Sequence, residues 1–266
     1  MRIAAGVEYR GSEFYGWQRQ DGQRTVQACV ESAVSSVADH PVEVQCAGRT
    51  DAGVHAVQQV IHFDTTSDRT DRSWILGVNS LLPPDINLLW VKPMPVEFHA
   101  RFSAVSRSYK YIILNRPVRS AINGRLMTLE RYPLDVNIMS AAAVALVGEH
   151  DFTSFRAVAC QAKSPVRTIK QLEVVREGNL VIIHVEANAF LHHMVRNIAG
   201  VLMAIGKDSQ PICWAKEVLD ARDRTLGGVT APPEGLYLVN VTYEEKFNIP
   251  AADSDIEAIN LSRNLV

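Results

Sequence analysis

The 266-residue chain is 47% apolar and 21% charged, and its formal net charge at pH 7 is −2. These totals are typical of a globular protein and exclude a uniformly basic nucleic-acid binder. The longest uninterrupted apolar run, residues 141–147, is far too short to span a bilayer, so we expect a soluble, cytoplasmic protein with no membrane partner. Four cysteines stand far apart without a CxxC pair, which predicts reduced thiols.

Charge is distributed unevenly along the chain. Residues 98–129 contain six basic residues and no acidic one, whereas residues 231–266 hold six acidic residues against two basic ones. A basic stretch of this kind is either a solvated face or a binding surface for a polyanion. Both interpretations stay open on composition alone.

Apolar periodicity in the first half of the chain predicts the order β-α-β-β-α-β. Thr25 stands where the N-cap of the first helix is expected, and the proline pair at 83 and 84 ends the second helix. The predicted strands cover residues 3–9, 42–48, 57–65 and 86–94, and the predicted helices cover residues 26–37 and 74–82.

The second half repeats this theme with one additional helix. Its predicted strands cover residues 108–114, 167–177, 181–189 and 235–243, and its predicted helices cover residues 136–150, 190–206 and 214–223. Two such units predict an α+β fold of two tandem ferredoxin-like (split βαβ) subdomains, with antiparallel sheets flanked by helices and an active-site cleft between them. We expect domains at residues 1–104 and 105–247, followed by an acidic tail at 248–266.

The segment CAGRTDAGVHA, residues 46–56, concentrates polar side chains between two glycines directly after a predicted strand. In such a loop the carboxylate of Asp51 can point into a cleft and act as a nucleophile, a base or a ligand. Arg49 lies on the same side of an extended chain, where it can bind phosphate or hold the carboxylate ionised. His55 adds a further polar side chain. A turn with a surface ion pair is the simpler alternative.

Two further segments combine aromatic and basic residues. On one predicted strand Tyr109 and Tyr111 share a face with Arg107, which suits stacking on a nucleobase while a cation holds its phosphate. Alternatively, at least one of the two tyrosines packs in the core with its hydroxyl satisfied. In DFTSFRA, residues 151–157, Arg156 follows two phenylalanines that also fit a core with a surface arginine.

The segment NAFLHHMVRNI, residues 188–198, places polar residues on a predicted helix whose other face is apolar. His192 and Arg196 are expected one helical turn apart. Adjacent histidines suggest a metal site, but neighbours on a helix point about 100° apart, so we expect no metal. A buried arginine requires an acidic partner, and Asp51 is the candidate.

These segments resemble the tRNA pseudouridine synthase A family over nearly the whole chain. Seven motifs in order carry the resemblance: YRGSEFYGWQRQ at 9–20, AGRTDAGVHA at 47–56, FHARFSA at 98–104, SYKYII at 108–113, DFTSFR at 151–156, NAFLHHMVRNI at 188–198 and EGLYLV at 234–239. The resemblance implies an isomerase that converts uridine to pseudouridine at positions 38, 39 and 40 of the tRNA anticodon stem-loop. It also implies a homodimer that uses neither a metal nor a cofactor.

The resemblance implies roles for individual residues. Asp51 matches the catalytic aspartate, and Tyr109 matches the active-site tyrosine next to the target base. Arg49 matches the arginine near the flipped base, and Arg196 matches the basic residue that pairs with the catalytic carboxylate. We also expect His55 and Arg156, which lie in matched motifs, to bind the substrate.

Three other functions are compatible with parts of the pattern. A nucleoside or glycoside hydrolase would need a second carboxylate, for which Glu8 and Glu13 are the candidates. A non-catalytic RNA-binding module would explain the aromatic residues, but it gives no reason for an arginine-flanked Asp51. A structural oligomerisation protein is the third alternative.

Overall fold

Ten strands and five α-helices lie in the residues that the computed structural model describes, which are 1–158 and 160–251. The strands are β1 Arg2–Tyr9, β2 Gln45–Cys46, β3 His55–Asp64, β4 Ile86–Met94, β5 Ala104–Asn115, β6 Thr128–Glu130, β7 Gly148–Asp151, β8 Val166–Glu177, β9 Leu180–Ala187 and β10 Leu236–Tyr243. The helices are α1 Val26–Ala38, α2 Asp71–Leu81, α3 Val136–Ala143, α4 Met194–Gly206 and α5 Trp214–Ala221. This mixture confirms the predicted α+β class.

The first of two compact units consists of residues 1–105 and the described chain from Tyr237 onward. In its sheet β1 lies between β4 and β3 and is antiparallel to both. Short β2 pairs antiparallel with β3, and β10 runs parallel to the start of β3. Helices α1 and α2 pack against each other and bury apolar stripes that include Val30, Val34 and Trp74.

The N-terminus of α1 lies where the sequence predicts it. Thr25 occupies the N-cap position with an extended backbone, but its side chain makes no capping hydrogen bond. Its hydroxyl oxygen is buried and has no partner among the described residues. The helix ends at Ala38, and the next residue, Asp39, adopts the left-handed conformation with φ of 59°. The predicted element is therefore present, although the predicted capping bond is not.

The second unit comprises residues 106–236. In its sheet β9 lies between β5 and β8 and is antiparallel to both, β7 pairs with the outer edge of β8, and β6 runs parallel to β5. Helix α4 is the core of the unit, because ten of its thirteen residues are buried. It packs against α3 and α5, and α3 also packs on β8.

The observed units differ from the predicted domains in the place of the closing strand, β10. We expected residues 105–247 to form the second domain, whereas the chain from Tyr237 belongs to the first unit. The physical reason is a long-range pairing in which Tyr237 lies opposite His55. Of the predicted acidic tail, residues 252–266 lie outside the described residues.

Two predicted helices are shorter than expected. The helix predicted over residues 136–150 ends at Ala143 and is followed by a tight turn and then by β7. Gly148 has a φ of +106°, which no α-helix accommodates, and β7 instead gains backbone pairing with β8. The helix predicted over residues 190–206 begins only at Met194, because His193 adopts the left-handed conformation with φ of 63°.

Smaller differences concern strands. Only Gln45–Cys46 of the predicted strand 42–48 pairs as a strand, and β6 was not predicted. No helix in the described ranges combines the length and apolar character that crossing a membrane requires.

Candidate active site

The motif loop, residues 47–54, connects β2 to β3 in the first unit. Gly53 has a φ of +80°, and the N–H of Val54 donates to the carbonyl of Asp51 over 3.2 Å, which closes the turn. Within this loop Asp51 is half-buried and Arg49 is exposed. The fold thus presents a carboxylate and a guanidinium from one tight turn.

A second loop, residues 10–17, packs directly against the motif loop. A Cβ on Gly11 would lie 1.9 Å from the carbonyl oxygen of Val54, and a Cβ on Gly16 would lie 2.7 Å from that of Thr50. The N–H of Trp17 donates to the same Thr50 oxygen over 3.0 Å. Two glycines are therefore required here because two backbones approach more closely than any side chain allows.

Hydrogen bonds to side chains also connect each loop to a strand that flanks the other loop. The hydroxyls of Tyr9 and Thr50 lie 2.8 Å apart, and the N–H of Gly11 donates to Nδ1 of His55 over 3.0 Å. The His55 ring is 1% exposed and stacks on Tyr237 with ring centres 4.6 Å apart. This placement buries His55 where it can position the motif loop.

The other side of the motif loop is held by β3. The side-chain amide of Gln59 donates to the carbonyl of Gly48 and accepts from its N–H, and the N–H of Ala47 donates to Val60 over 2.8 Å. Gln59 is fully buried. Asp51 is thus carried by a loop that is fixed at both flanks, which is the preorganisation that a reacting carboxylate requires.

In the second unit the two tyrosines of β5 have different environments. The hydroxyl of Tyr111 lies 2.7 Å from that of Thr128 and donates to the carbonyl of Pro232 over 2.8 Å. Tyr111 is fully buried, and burial raises the pKa of its phenol. The alternative in which at least one tyrosine packs in the core with a satisfied hydroxyl is therefore confirmed for Tyr111. Tyr109 is also buried, and it meets the ring of Phe190 edge-on at 5.0 Å.

Arg196 is the third residue of α4 and is half-buried. Its Nε donates to the carbonyl of Ala231 over 2.8 Å, and the N–H of Ala231 donates back to the Arg196 carbonyl over 3.1 Å. Gly200, one turn later, allows this contact, since a Cβ there would lie 1.9 Å from the oxygen of Val229. The segment 229–231 thus holds the Nε end of the Arg196 guanidinium in place.

The two histidines before α4 do not lie where the sequence predicts. His192 and His193 precede the helix, so His192 and Arg196 are not one helical turn apart. Their rings lie 4.0 Å apart. The argument from helical geometry against a shared ligand consequently does not apply to this pair.

The segment DFTSFR is mainly a core element. Phe152 and Phe155 are fully buried and contact each other at 5.9 Å, as the simpler interpretation predicts. Arg156 is half-buried at the end of the tight turn Thr153–Phe155. The side chain of Asn197 ties this turn to α4 by donating to the Phe155 carbonyl over 2.7 Å.

The predicted site residues divide between the units. The first unit brings Arg49, Asp51 and His55 onto one connection, whereas the second holds Tyr109, Arg156 and Arg196 on three different elements. Sequence reasoning did not find the supporting residues Tyr9, Thr50, Gly11 and Gly16. The glycines in YRGSEFYGW were the available signal, because a loop that needs two of them often approaches another backbone closely.

Comparison with known proteins gives a consistent result. A family model described as tRNA pseudouridine synthase matches residues 5–103 and 142–244, which is well over half of the chain. A similarity to the solved structure titled "Crystal Structure of a Cbf5-Nop10-Gar1 Complex" has a TM-score of 0.35 at 10% identity over 97% of this chain and 64% of that one, which is too low to carry an argument.

Three curated relatives, each described as tRNA pseudouridine synthase A, match 94% of this chain. The protein of Nitrosococcus oceani is 60% identical and is covered over 96% of its length. Those of Methylococcus capsulatus and Pseudomonas aeruginosa are 59% and 56% identical, with 92% and 88% of their lengths covered. The chain belongs to the tRNA pseudouridine synthase family, whose members isomerise uridine to pseudouridine in tRNA.

Proposed function

We propose that this isomerase acts on uridines 38, 39 and 40 of the tRNA anticodon stem-loop, with Asp51 as its essential carboxylate. The observation that carries the proposal is the rigid support of the Asp51 loop by Gly11, Gly16 and Gln59. A structural turn with a surface ion pair would not need a loop fixed at both flanks. The choice of target positions follows from the resemblance of the seven motifs.

The isomerisation involves only a few changes in bonds and protons. The N1–C1′ glycosidic bond breaks, the base turns, a C5–C1′ bond forms, and the proton on C5 leaves while N1 gains one. No electrons enter or leave, so a cofactor is not required. A uridine within a stem is inaccessible, so the nucleotide must leave its stack and be held by aromatic and cationic groups.

We assign these roles to the predicted residues. Asp51 reacts with the flipped nucleotide, by attack at the sugar C1′, by attack at the base C6, or by removal of a ribose proton. Tyr109 lies next to the base, and Arg49 binds a phosphate near it, which its exposed position supports.

Two further arginines complete the proposal. We assign Arg196 the role of the basic residue that pairs with the Asp51 carboxylate, as the resemblance implies. The fixed Nε of Arg196 leaves the end of its guanidinium oriented. Arg156 contributes a substrate contact, whereas His55 acts by positioning the motif loop.

We also make proposals about the subdomain folds, the oligomeric state and the location of the protein. We infer two tandem ferredoxin-like subdomains from the strand orders β4-β1-β3-β2 and β5-β9-β8, since each places a later strand between two earlier ones. We infer a homodimer because, at a net charge of −2, binding of tRNA needs a local field that two basic stretches can build together. We infer a cytoplasmic location because the family acts on tRNA.

The decisive experiment compares Asp51→Asn with Asp68→Asn, an exposed aspartate outside every motif. With tRNA labelled at uridine C5 with tritium, Asp51→Asn should release about a thousandfold less tritium than wild type, while its tRNA affinity stays within about tenfold. Asp68→Asn should behave like wild type. Wild-type-like release by Asp51→Asn would refute the assignment.

Two additional readouts separate the competing functions. Mapping pseudouridine in the treated tRNA should place it at positions 38 to 40 and nowhere else. Release of free uracil would support a hydrolase instead, for which Glu8 and Glu13, both exposed, were the candidate second carboxylates.

A further inference from the structure

The most exposed aromatic side chain in the FHARFSA motif is Phe102, at 76% exposure. It lies on the turn at residues 98–103 of the first unit, between β4 and β5. Packing against the described residues accounts for little of the ring, since most of its surface faces solvent. Exposed apolar residues are common singly, so the surroundings of Phe102 decide whether it has a function.

The backbone around Phe102 is rigid. The N–H groups of Arg101 and Phe102 both donate to Nδ1 of His99, over 3.1 and 3.3 Å. The N–H of Ser103 donates to the His99 carbonyl over 2.9 Å, and the N–H of His99 donates to the Ser103 hydroxyl over 2.9 Å. Four hydrogen bonds within one turn fix the direction in which the ring projects.

The turn is also anchored to the core of its unit. Phe98 is fully buried, the N–H of Ala100 donates to Nδ1 of buried His62 over 3.2 Å, and the hydroxyl of Tyr243 donates to the Ala100 carbonyl over 2.6 Å. The ring of His99 supports that of Phe102, with centres 4.4 Å apart. The exposure of Phe102 is thus a property of a well-held turn, not of a loose loop.

A cation accompanies the ring. Arg101 is exposed, and its guanidinium carbon lies 5.6 Å from the centre of the Phe102 ring. Both residues belong to the stretch 98–129, which contains no acidic residue to repel a phosphate. A fixed aromatic face beside a positive charge can bind an unpaired nucleotide. The base stacks on the aromatic ring, and the phosphate pairs with the cation.

We propose that Phe102 stacks on an unpaired base of the tRNA substrate, other than the uridine that reacts, and that Arg101 pairs with an adjacent phosphate. The contact binds and orients the tRNA and takes no part in bond breaking. The inference depends on tRNA being the substrate, as the proposed function holds.

Steady-state kinetics on tRNA test the contact. Phe102→Ala should raise KM about tenfold with kcat unchanged, because a stacked base typically contributes that much affinity. Phe102→Leu should match Phe102→Ala, since it keeps the apolar volume but loses the aromatic face, whereas Phe102→Trp should retain wild-type KM. Arg101→Gln should reduce the slope of log affinity against log salt by about 0.7 to 0.9.

Arg131 and Tyr132 offer a matched control. They form a similar sequence pair, and Tyr132 is 69% exposed, but they lie outside the acid-free stretch. Tyr132→Ala should leave KM and kcat unchanged. An equal rise in KM for Tyr132→Ala would show a general surface effect and overturn the inference.

Other outcomes also decide the question. An unchanged KM for Phe102→Leu, in a variant with the wild-type melting temperature, overturns the inference. So does a change of subunit number in light scattering, because Phe102 would then belong to an interface between copies of the chain. If the wild-type protein itself releases no tritium from tRNA, the proposed function fails instead.

Discussion

The N–H of Gly11 donates a hydrogen bond of 3.0 Å to Nδ1 of His55, which joins the loop at residues 10–17 to the start of β3, 44 positions further along the chain. The accepting nitrogen must be unprotonated, so the bond exists with a neutral ring. His55 is the first residue of β3, directly after the motif loop, and Gly11 lies in the loop that packs against the turn of Asp51. The bond therefore holds the two loops in a fixed arrangement.

We therefore predict that replacing His55 lowers kcat with little effect on KM. His55→Ala should reduce kcat at least tenfold, since it removes the acceptor and leaves a cavity beside Tyr237. His55→Asn, whose amide oxygen offers an acceptor near the same place, should recover part of the loss. Equal rates for the two variants in the tritium-release assay would show that the hydrogen bond has no such role.

Gly16 and Gly22 form a natural comparison within one loop region. Both have positive φ, 85° and 71°, but a Cβ on Gly16 would lie 2.7 Å from the Thr50 oxygen, whereas a Cβ on Gly22 would have no atom of the described residues within 4 Å. Gly22→Ala should cost about 1 kcal/mol of unfolding free energy from backbone strain alone. Gly16→Ala should cost several kcal/mol and should also lower kcat. Denaturant unfolding of both variants checks this prediction, and similar values would contradict it.

Substitutions of Tyr109 and Tyr111 test a proposed role in the reaction against a role in packing. Tyr111→Phe removes both hydrogen bonds of a buried hydroxyl and should cost on the order of 1 to 3 kcal/mol of stability while leaving kcat near wild type. If its hydroxyl takes part in the reaction, Tyr109→Phe should lower kcat about a hundredfold with a smaller loss of stability. An unchanged kcat for Tyr109→Phe would restrict that residue to stacking on the base.

Stability should depend on His62 in mild acid. Burial, with the positive charges of His99 and Arg2, lowers the pKa of His62 to about 4, and Asp64 opposes the shift. Between that value and an unfolded pKa of about 6.5, the unfolded chain binds a proton that the folded protein excludes, so stability rises with pH. The contribution is complete above about pH 6.5 and is lost as the pH falls toward 4.

The measurement is unfolding free energy against pH. Wild type should lose on the order of 2 to 3 kcal/mol from this group between about pH 6.5 and 4. His62→Gln should show a shallower slope in that window. The slope should not vanish, because burial also lowers the pKa of His99. An identical slope in the variant would contradict the assignment to His62.

The elements that the sequence predicts well are those whose apolar pattern is local. Strand β4 and helix α1 follow their predicted ranges closely, since the residues that define them also bury one face. The predicted start of α4 was wrong because the backbone of His193 adopts the left-handed conformation, which apolar spacing does not reveal. The strand β10 was predicted, but its pairing with β3 was not, because the two strands lie far apart in the sequence.

The candidate site shows the same division. The charged residues between two glycines are visible in the sequence, and they make Asp51 and Arg49 candidates for the site. The residues that support the motif loop cannot be recognised in the sequence. The bond between Tyr9 and Thr50, for example, depends on the end of β1 meeting this loop in the folded unit. Residues that act through a neighbour therefore need the three-dimensional structure to be found.

The pairing of β10 with β3 has a consequence for the order of assembly on the ribosome. Residues 106–236 are one continuous stretch and can fold as soon as they emerge, whereas the first unit lacks a strand until Leu236–Tyr243 is synthesised. His55, whose ring rests on Tyr237, therefore gains this support only near the end of translation. The loop that carries Asp51 is thus completed late, after the intervening unit has been made.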